Sequence, residues 1–308
     1  MDVLNAMRIF STVAELGSFA AASERLNLSK GLASKTVGAL EDRLGVRLFN
    51  RTTRRLSLTE AGADYLARVA SIVDAVDEAE AAAGRGSLEP SGTLRVAAPV
   101  SFGLRHLSGP FAEFRRAHPK VALDLQLNDR RVDLIEEGFD VALRISRALP
   151  ESSLVARALA PIRVALCASP DYLAARGAPT TLAELADHDC LRYSLSGSPD
   201  SWAFGDAGEI RVPVGGGVTA NNGDVLVDAA RRGLGLIYQP TFLVGDDLAA
   251  GTLVPLLEDV PTPTYRLYAL YPHRRYLPNK VRLLVEHLAA VFGDAPYWDV
   301  NDRPRPAG

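Results

Sequence analysis

"SKGLASKTVGALEDRLG", residues 29–45, has the spacing of an amphipathic helix and contains two glycines that oppose one. Leu32, Val37, Leu40 and Leu44 recur at helical intervals, and at about 100° per residue they gather with Ala33 and Thr36 on one side. Gly31, Ser34, Lys35, Gly38 and Asp42 fall on the other. Each interior glycine costs about 1 kcal/mol relative to alanine. A helix that keeps glycine beside a hydroxyl and a lysine on its outer face is suited to close approach by another molecule.

The flanking sequence turns this helix into a unit. Leu4, Met7, Phe10 and Val13 form a helical stripe that ends at Gly17, and Ser18 is placed to cap a second helix through Ala22 and Leu26. Asn27 and Leu28 make the turn, and Ser29 caps the helix quoted above. Two short helices, a tight turn and a third helix with a polar outer face are a helix-turn-helix. Next, "VRLFNRTTRRLSLT" (46–59) alternates apolar and polar residues on either side of a basic tip, which predicts a two-stranded wing.

Charge singles out the same segment. The net charge of the 308-residue chain is −3, yet residues 1–58 hold nine basic and five acidic side chains, so a +4 head sits on a −7 body. Such a head suits a polyanion. Apolar content of 47% with 23% charged residues is globular and large enough for two or three domains. The start "MDVLNAMRIF" lacks the pattern of a signal peptide, and no apolar run is long enough to span a bilayer, so a cytoplasmic location is expected.

The stretch "FAAASERLNLSKGLASKTVGALEDRLGVRLFNRTTRRLSLTEAG", residues 19–62, resembles the winged helix-turn-helix of the LysR-type transcriptional regulators almost position by position. The resemblance implies an α/β protein with three parts: the winged head, a long linker helix, and a two-lobed effector domain like a periplasmic binding protein. It places Ser29, Lys30, Gly31, Ser34 and Lys35 at or beside the duplex, with Arg51, Arg54 and Arg55 of the wing on phosphates or in the adjacent minor groove. Lys30 stands where the family often has Gln and Lys35 where Arg is common, so operator preference does not carry over. Promoter DNA, a second copy of the chain in dimers and tetramers, RNA polymerase and a small effector are the implied partners; no cofactor or metal is implied.

From Thr59 to about Ala83 a single helix is expected, with Leu66, Val69, Val73 and Val76 along a seam flanked by Tyr65 and Ile72. That seam needs a partner, which the resemblance supplies as the dimer; packing on the chain's own head is the weaker alternative. "GRGSLEPSG" (84–92) then breaks periodicity as a hinge.

Residues 93–293 alternate strands and helices and predict parallel sheets with helices on their faces. Residues 93–162 and 264–293 are assigned to one lobe and 163–263 to the other, with "RVDLIEEG" (131–138) and Leu104–Ala117 read as helices and 294–308 as a disordered tail. Ser101, Phe102 and Gly103, entering a helix from a strand, could offer a hydroxyl and backbone N–H groups to a carboxylate. By resemblance the ligand wall also draws on Asn128, Arg144, Ser146, Tyr193, Asn221, Asn222, Gln239 and Pro240. Structural roles compete: Arg144 pairing with Asp140, the asparagines capping the helix at Gly223, Pro240 ending a strand.

The five histidines (106, 118, 188, 273, 287) form no nucleophile–base or metal pattern, so an enzyme is not expected. Two cysteines, Cys167 and Cys190, are too few for a disulfide framework; a thiol-based redox sensor is the alternative function they leave open.

Overall fold

A computed structural model describes residues 2–51, 56–83, 89–130, 132–149, 154–272 and 277–299. Arg54, Arg55, most of the expected hinge (84–88) and the end of the expected tail (300–308) lie outside the described residues. The chain divides into two compact units, one built mainly from residues up to Gly92 and the other from Thr93 onward.

In the first unit α1 (Val3–Leu16), α2 (Phe19–Arg25) and α3 (Lys30–Leu44) are followed by β1 (Phe49–Arg51), β2 (Leu56–Leu58) and α4 (Glu60–Ala83). Local chemistry sets the boundaries. Asp2, Ser18 and Ser29 accept the backbone hydrogens of Asn5, Ala21 and Leu32, while Gly17 and Gly45 end α1 and α3 in the left-handed region. Thr59 accepts from Gly62 at 2.9 Å and so caps α4. Gly62 is required by packing, because a Cβ there would overlap the Leu48 carbonyl. Phe10 centres the core, 5.3 Å from Phe49 and 5.4 Å from Tyr65 between ring centroids.

The inner face of α3 differs from the one its apolar spacing suggests. Ala33, Val37 and Leu40 are fully buried, but Leu32 and Leu44 are 48% and 39% exposed. Glu41 takes an inward place instead. In α1 the buried set is likewise turned, with Ala6 and Ile9 beside Phe10 and Val13.

The second unit opens with β3 (Gly92–Ala98), α5 (Val100–His106), α6 (Ser108–Ala117), β4 (Val121–Leu127), β5 (Val141–Ser146) and β6 (Leu154–Ile162). It continues through β7 (Val164–Ala168), α7 (Pro170–Arg176), β8 (Cys190–Tyr193), β9 (Ser201–Phe204), β10 (Ile210–Pro213) and β11 (Thr219–Ala220). Last come α8 (Gly223–Arg231), β12 (Leu236–Pro240), α9 (Thr241–Ala250), β13 (Val254–Pro255), β14 (Tyr265–Pro272) and α10 (Asn279–Phe292).

Two five-stranded sheets result, β4-β3-β5-β14-β6 and β11-β8-β12-β7-β13, with β9 and β10 as a separate hairpin. Only Arg163 separates β6 in one sheet from β7 in the other, and β14 returns beside β6 with Tyr265 opposite Ile162. The sheets are mixed, which corrects the parallel expectation. β3 runs parallel to β5, but β14 is antiparallel to both its neighbours and β12 is antiparallel to β7. Strands that cross between lobes reverse direction on return, and alternation of helix and strand in sequence does not reveal that.

Three local expectations change. Residues 134–138 form turns, not a helix; the Phe139 N–H closes on the Leu134 carbonyl at 2.9 Å and carries buried Phe139 to β5. The helix expected over 104–117 is two helices meeting at Leu107. Order also continues past Phe292: Tyr297–Asp299 make a 3-10 turn, and the Trp298 ring lies 5.6 Å from both Phe102 and Phe292. Among the described residues no helix is long and apolar enough to cross a membrane.

Candidate functional site

Because its buried side is committed to the head's core, α3 has a defined outward side. Gly31 and Lys35 are exposed and Ser34 is half-buried. Nothing lies within 4 Å of where a Cβ would stand on Gly31 or Gly38. Neither glycine is demanded by packing inside the head, so the helix propensity they forfeit has no intramolecular cause. Ser29 is the N-cap and Lys30 the first residue of the helix; Arg51 ends β1 of the wing.

Sequence spacing did not reveal what joins the helix to the wing. The Glu41 carboxylate accepts the backbone hydrogens of Leu48 and Phe49 at 2.9 and 3.1 Å and pairs with Arg47 at 3.0 Å. A buried carboxylate on three donors is well satisfied, and it fixes β1 against the end of α3.

The seam proposed for dimerisation is only partly available. Val69 is 1% exposed, enclosed in the head's own core, with Leu66 and Val73 packed on the same cluster and Val76 half-buried. The alternative of packing on the head therefore holds for Val69, because α1 lies along the start of α4 and covers it. Ile72, by contrast, is 45% exposed.

In the second unit a cleft of about 770 Å³ opens between the two sheets. Of the expected residues, Ser101, Asn128, Arg144, Ser146, Tyr193, Gln239 and Pro240 line it, and Phe102, Gly103, Asn221 and Asn222 do not. Phe102 is fully buried against Phe242, Phe292 and Trp298, and Gly103 is backed by the Leu127 side chain. Of the three residues expected to hold a carboxylate, Ser101 therefore faces the cleft, while the Phe102 side chain belongs to the core and Gly103 is backed by Leu127. The first N–H of α5, on Val100, already donates to Asp129 at 3.0 Å. Asn222 caps α8 through the Val225 N–H at 3.2 Å and reaches Ser101 Oγ at 3.5 Å, whereas Asn221 is exposed. Pro240 ends β12 and precedes α9.

Sequence reasoning missed Asp129, Arg130, Arg147, Trp202, Arg211, Tyr238 and Tyr265 on the same walls. Their only sequence signal was the cluster of aromatic and arginine residues near strand ends. Burial raises the Tyr193 phenol to about 12, and the Asp129 carboxylate adds to it, so the hydroxyl stays protonated near neutrality.

Both cysteines are fully buried, and burial pushes each thiol up to about 12. They lie on opposite sides of β12, Cys167 opposite Ile237 and Cys190 opposite Leu236. Two strand spacings separate them by about 10 Å, beyond the span of a disulfide.

Comparison with known proteins agrees with this division. Residues 4–63 match the family described as "Bacterial regulatory helix-turn-helix protein, lysR family", and residues 87–293 match "LysR substrate binding domain". The regulator CrgA of Neisseria meningitidis serogroup C is 36% identical over 290 residues, 94% of this chain and 96% of that protein. An uncharacterized HTH-type transcriptional regulator of Haemophilus influenzae is 35% identical over 282 residues, 91% of this chain and 98% of its own length. The solved structure of Neisseria meningitidis CrgA, "a LysR-type transcriptional regulator", matches with a TM-score of 0.58 at 36% identity, covering 92% of this chain and 98% of that one.

Proposed function

The chain belongs to the LysR family of transcriptional regulators, and from that premise we propose that it reads promoter DNA with α3 and is controlled by a small molecule held between the lobes of its second unit. It acts by binding, not by catalysis. The observation that carries the proposal is the outer face of α3, where two open glycines flank Ser34 and Lys35. Side chains on a recognition helix limit how near its backbone comes to base edges, and these glycines remove that limit. Lys35 then reaches the groove floor, while the wing from Arg51 through Arg54 and Arg55 meets phosphates.

Two copies joined through α4 would present two such helices to a site of dyad symmetry, and pairs of dimers would bend the intervening DNA. An effector bound more tightly by one arrangement of lobes or subunits than by another shifts the DNA complex by that difference, and contact with RNA polymerase would pass the change to transcription.

The test is selection of fragments of the source genome by the full-length protein, followed by mobility shift on the selected site. Metabolites of the enzymes encoded beside that site are then added. Recovery of one dyad site, lost on Lys35→Ala and shifted by one of those metabolites, supports the reading. Binding of all fragments alike would overturn it.

A further inference from the structure

The inter-lobe cleft has two chemically different ends. Toward one, Ser101, Asn128, Asp129, Arg130 and Tyr193 line the wall, and the Asp129 carboxylate acts on the Tyr193 phenol. The other end lies under the β9–β10 hairpin, where Tyr238 on β12 and Tyr265 on β14 form the walls and Arg147 and Arg211 the edges. The Tyr238 hydroxyl donates to the Ala203 carbonyl at 2.9 Å; Arg211, the cross-strand partner of Ala203, is exposed and lines the same cleft. Burial raises the Tyr238 phenol and Tyr265 adds to this, while the charge of Arg147 offsets it. Arg147 in turn donates to the Ala207 carbonyl at the hairpin tip, where a Cβ on Gly208 would collide with the guanidinium.

Arg211 is different. Its exposed side chain lines the cleft and, among the described residues, has no hydrogen-bond or ion-pair partner. A guanidinium presents a planar fork that matches a carboxylate with two parallel hydrogen bonds. Flat tyrosine faces give a rigid wall for a ring at little entropic cost.

We propose that this end of the cleft is an anion subsite, in which Arg211 takes the carboxylate of an aromatic acid with Arg147 adding charge and the ring lying along Tyr238 and Tyr265. The inference rests on the reading of the cleft as the effector site, and it orients the effector with its acid toward the hairpin, away from Asp129.

Calorimetry on the full-length protein with 2-naphthoate and its neutral counterpart 2-naphthamide tests this. Wild type binds the acid about tenfold more tightly than the amide, and Arg211→Gln removes that preference while leaving amide affinity in place. Arg211→Lys keeps part of it, and Arg116→Gln on the exposed surface of α6 keeps all of it. Equal affinity of wild type and Arg211→Gln for 2-naphthoate would overturn the assignment, as would failure of wild type to bind it. Ala148→Trp, from an exposed position lining the cleft, separates the two readings. If it abolishes naphthoate binding while Arg211→Gln does not, only the anion placement fails; if naphthoate still binds to Ala148→Trp, the cleft itself is not the site.

Discussion

The Glu41 carboxylate accepts the Leu48 backbone hydrogen at 2.9 Å, so the last turn of α3, the helix proposed to read DNA, also holds the entry to the wing strand. Glu41 is 2% exposed, and the neighbouring Phe49 N–H shares the same oxygen at 3.1 Å. Glu41→Ala would leave both donors without an acceptor, at a cost of about 2 kcal/mol. Hydrogen exchange read by mass spectrometry should then show the segment around Leu48 and Phe49 losing protection while α1 keeps it. Unchanged protection there would mean that the carboxylate does not fix the wing.

Gly38 separates helix stability from DNA binding. A Cβ at this position meets no atom within 4 Å, so Gly38→Ala should stabilise the head by about 1 kcal/mol through helix propensity. Operator affinity should nevertheless fall, and fall further for Gly38→Leu, because each added carbon holds the helix away from the duplex. A more stable Gly38→Ala protein with undiminished operator binding in a mobility shift would contradict close approach. Lys35→Ala should cost about 1 to 3 kcal/mol on operator and little on random DNA.

Two positions on α4 give opposite outcomes. Val69→Asp puts a charge into the head's closed core, a loss of about 3 kcal/mol or more, and the head should unfold. Ile72→Asp changes an exposed side chain one turn on, so the fold should persist by circular dichroism while dimers dissociate in light scattering. A dimer unaffected by Ile72→Asp would place the interface off this face.

Asp247 makes stability of the second unit depend on acid. Burial alone would raise its carboxyl; hydrogen bonds from Arg231 and Thr252, together with the Arg231 charge, reverse this and hold it below the usual carboxylate range. Arg231 contributes two bonds of 2.6 Å, and Thr252 adds one of 2.7 Å. A group depressed in the folded state contributes stability above its unfolded value, near 3.9 for Asp, and loses it as pH falls through the folded one. Asp247→Asn should therefore lower the melting temperature at pH 7 by the equivalent of about 1 to 2 kcal/mol, discounted for the partly exposed Arg231. The difference from wild type should close progressively below about pH 4. A gap that stays constant down to pH 3 would show that the pair does not carry it.

The features legible before any folding are local. Ser18, Ser29 and Thr59 announced their helices because a hydroxyl reaches a backbone hydrogen only three residues away. Gly31 and Gly38 stood out because propensity and periodicity are written within a few turns, and the basic wing and the alternation of strands and helices were legible for the same reason. Folding alone sets the direction of side chains whose surroundings come from distant chain. Leu32 looks buried by spacing and is exposed, whereas the charged Glu41 is enclosed, because backbone hydrogens at the start of the wing, not the helix, meet its carboxylate. Val69 belongs to the head because α1 covers it, and Phe102 to a core closed by Trp298, which is almost two hundred residues away in sequence. Arg147 and Arg211 share a cleft only because the chain crosses between sheets and comes back. Capping and periodicity act over one helical turn; burial and charge act through space, and they are set by whichever segments the fold brings together.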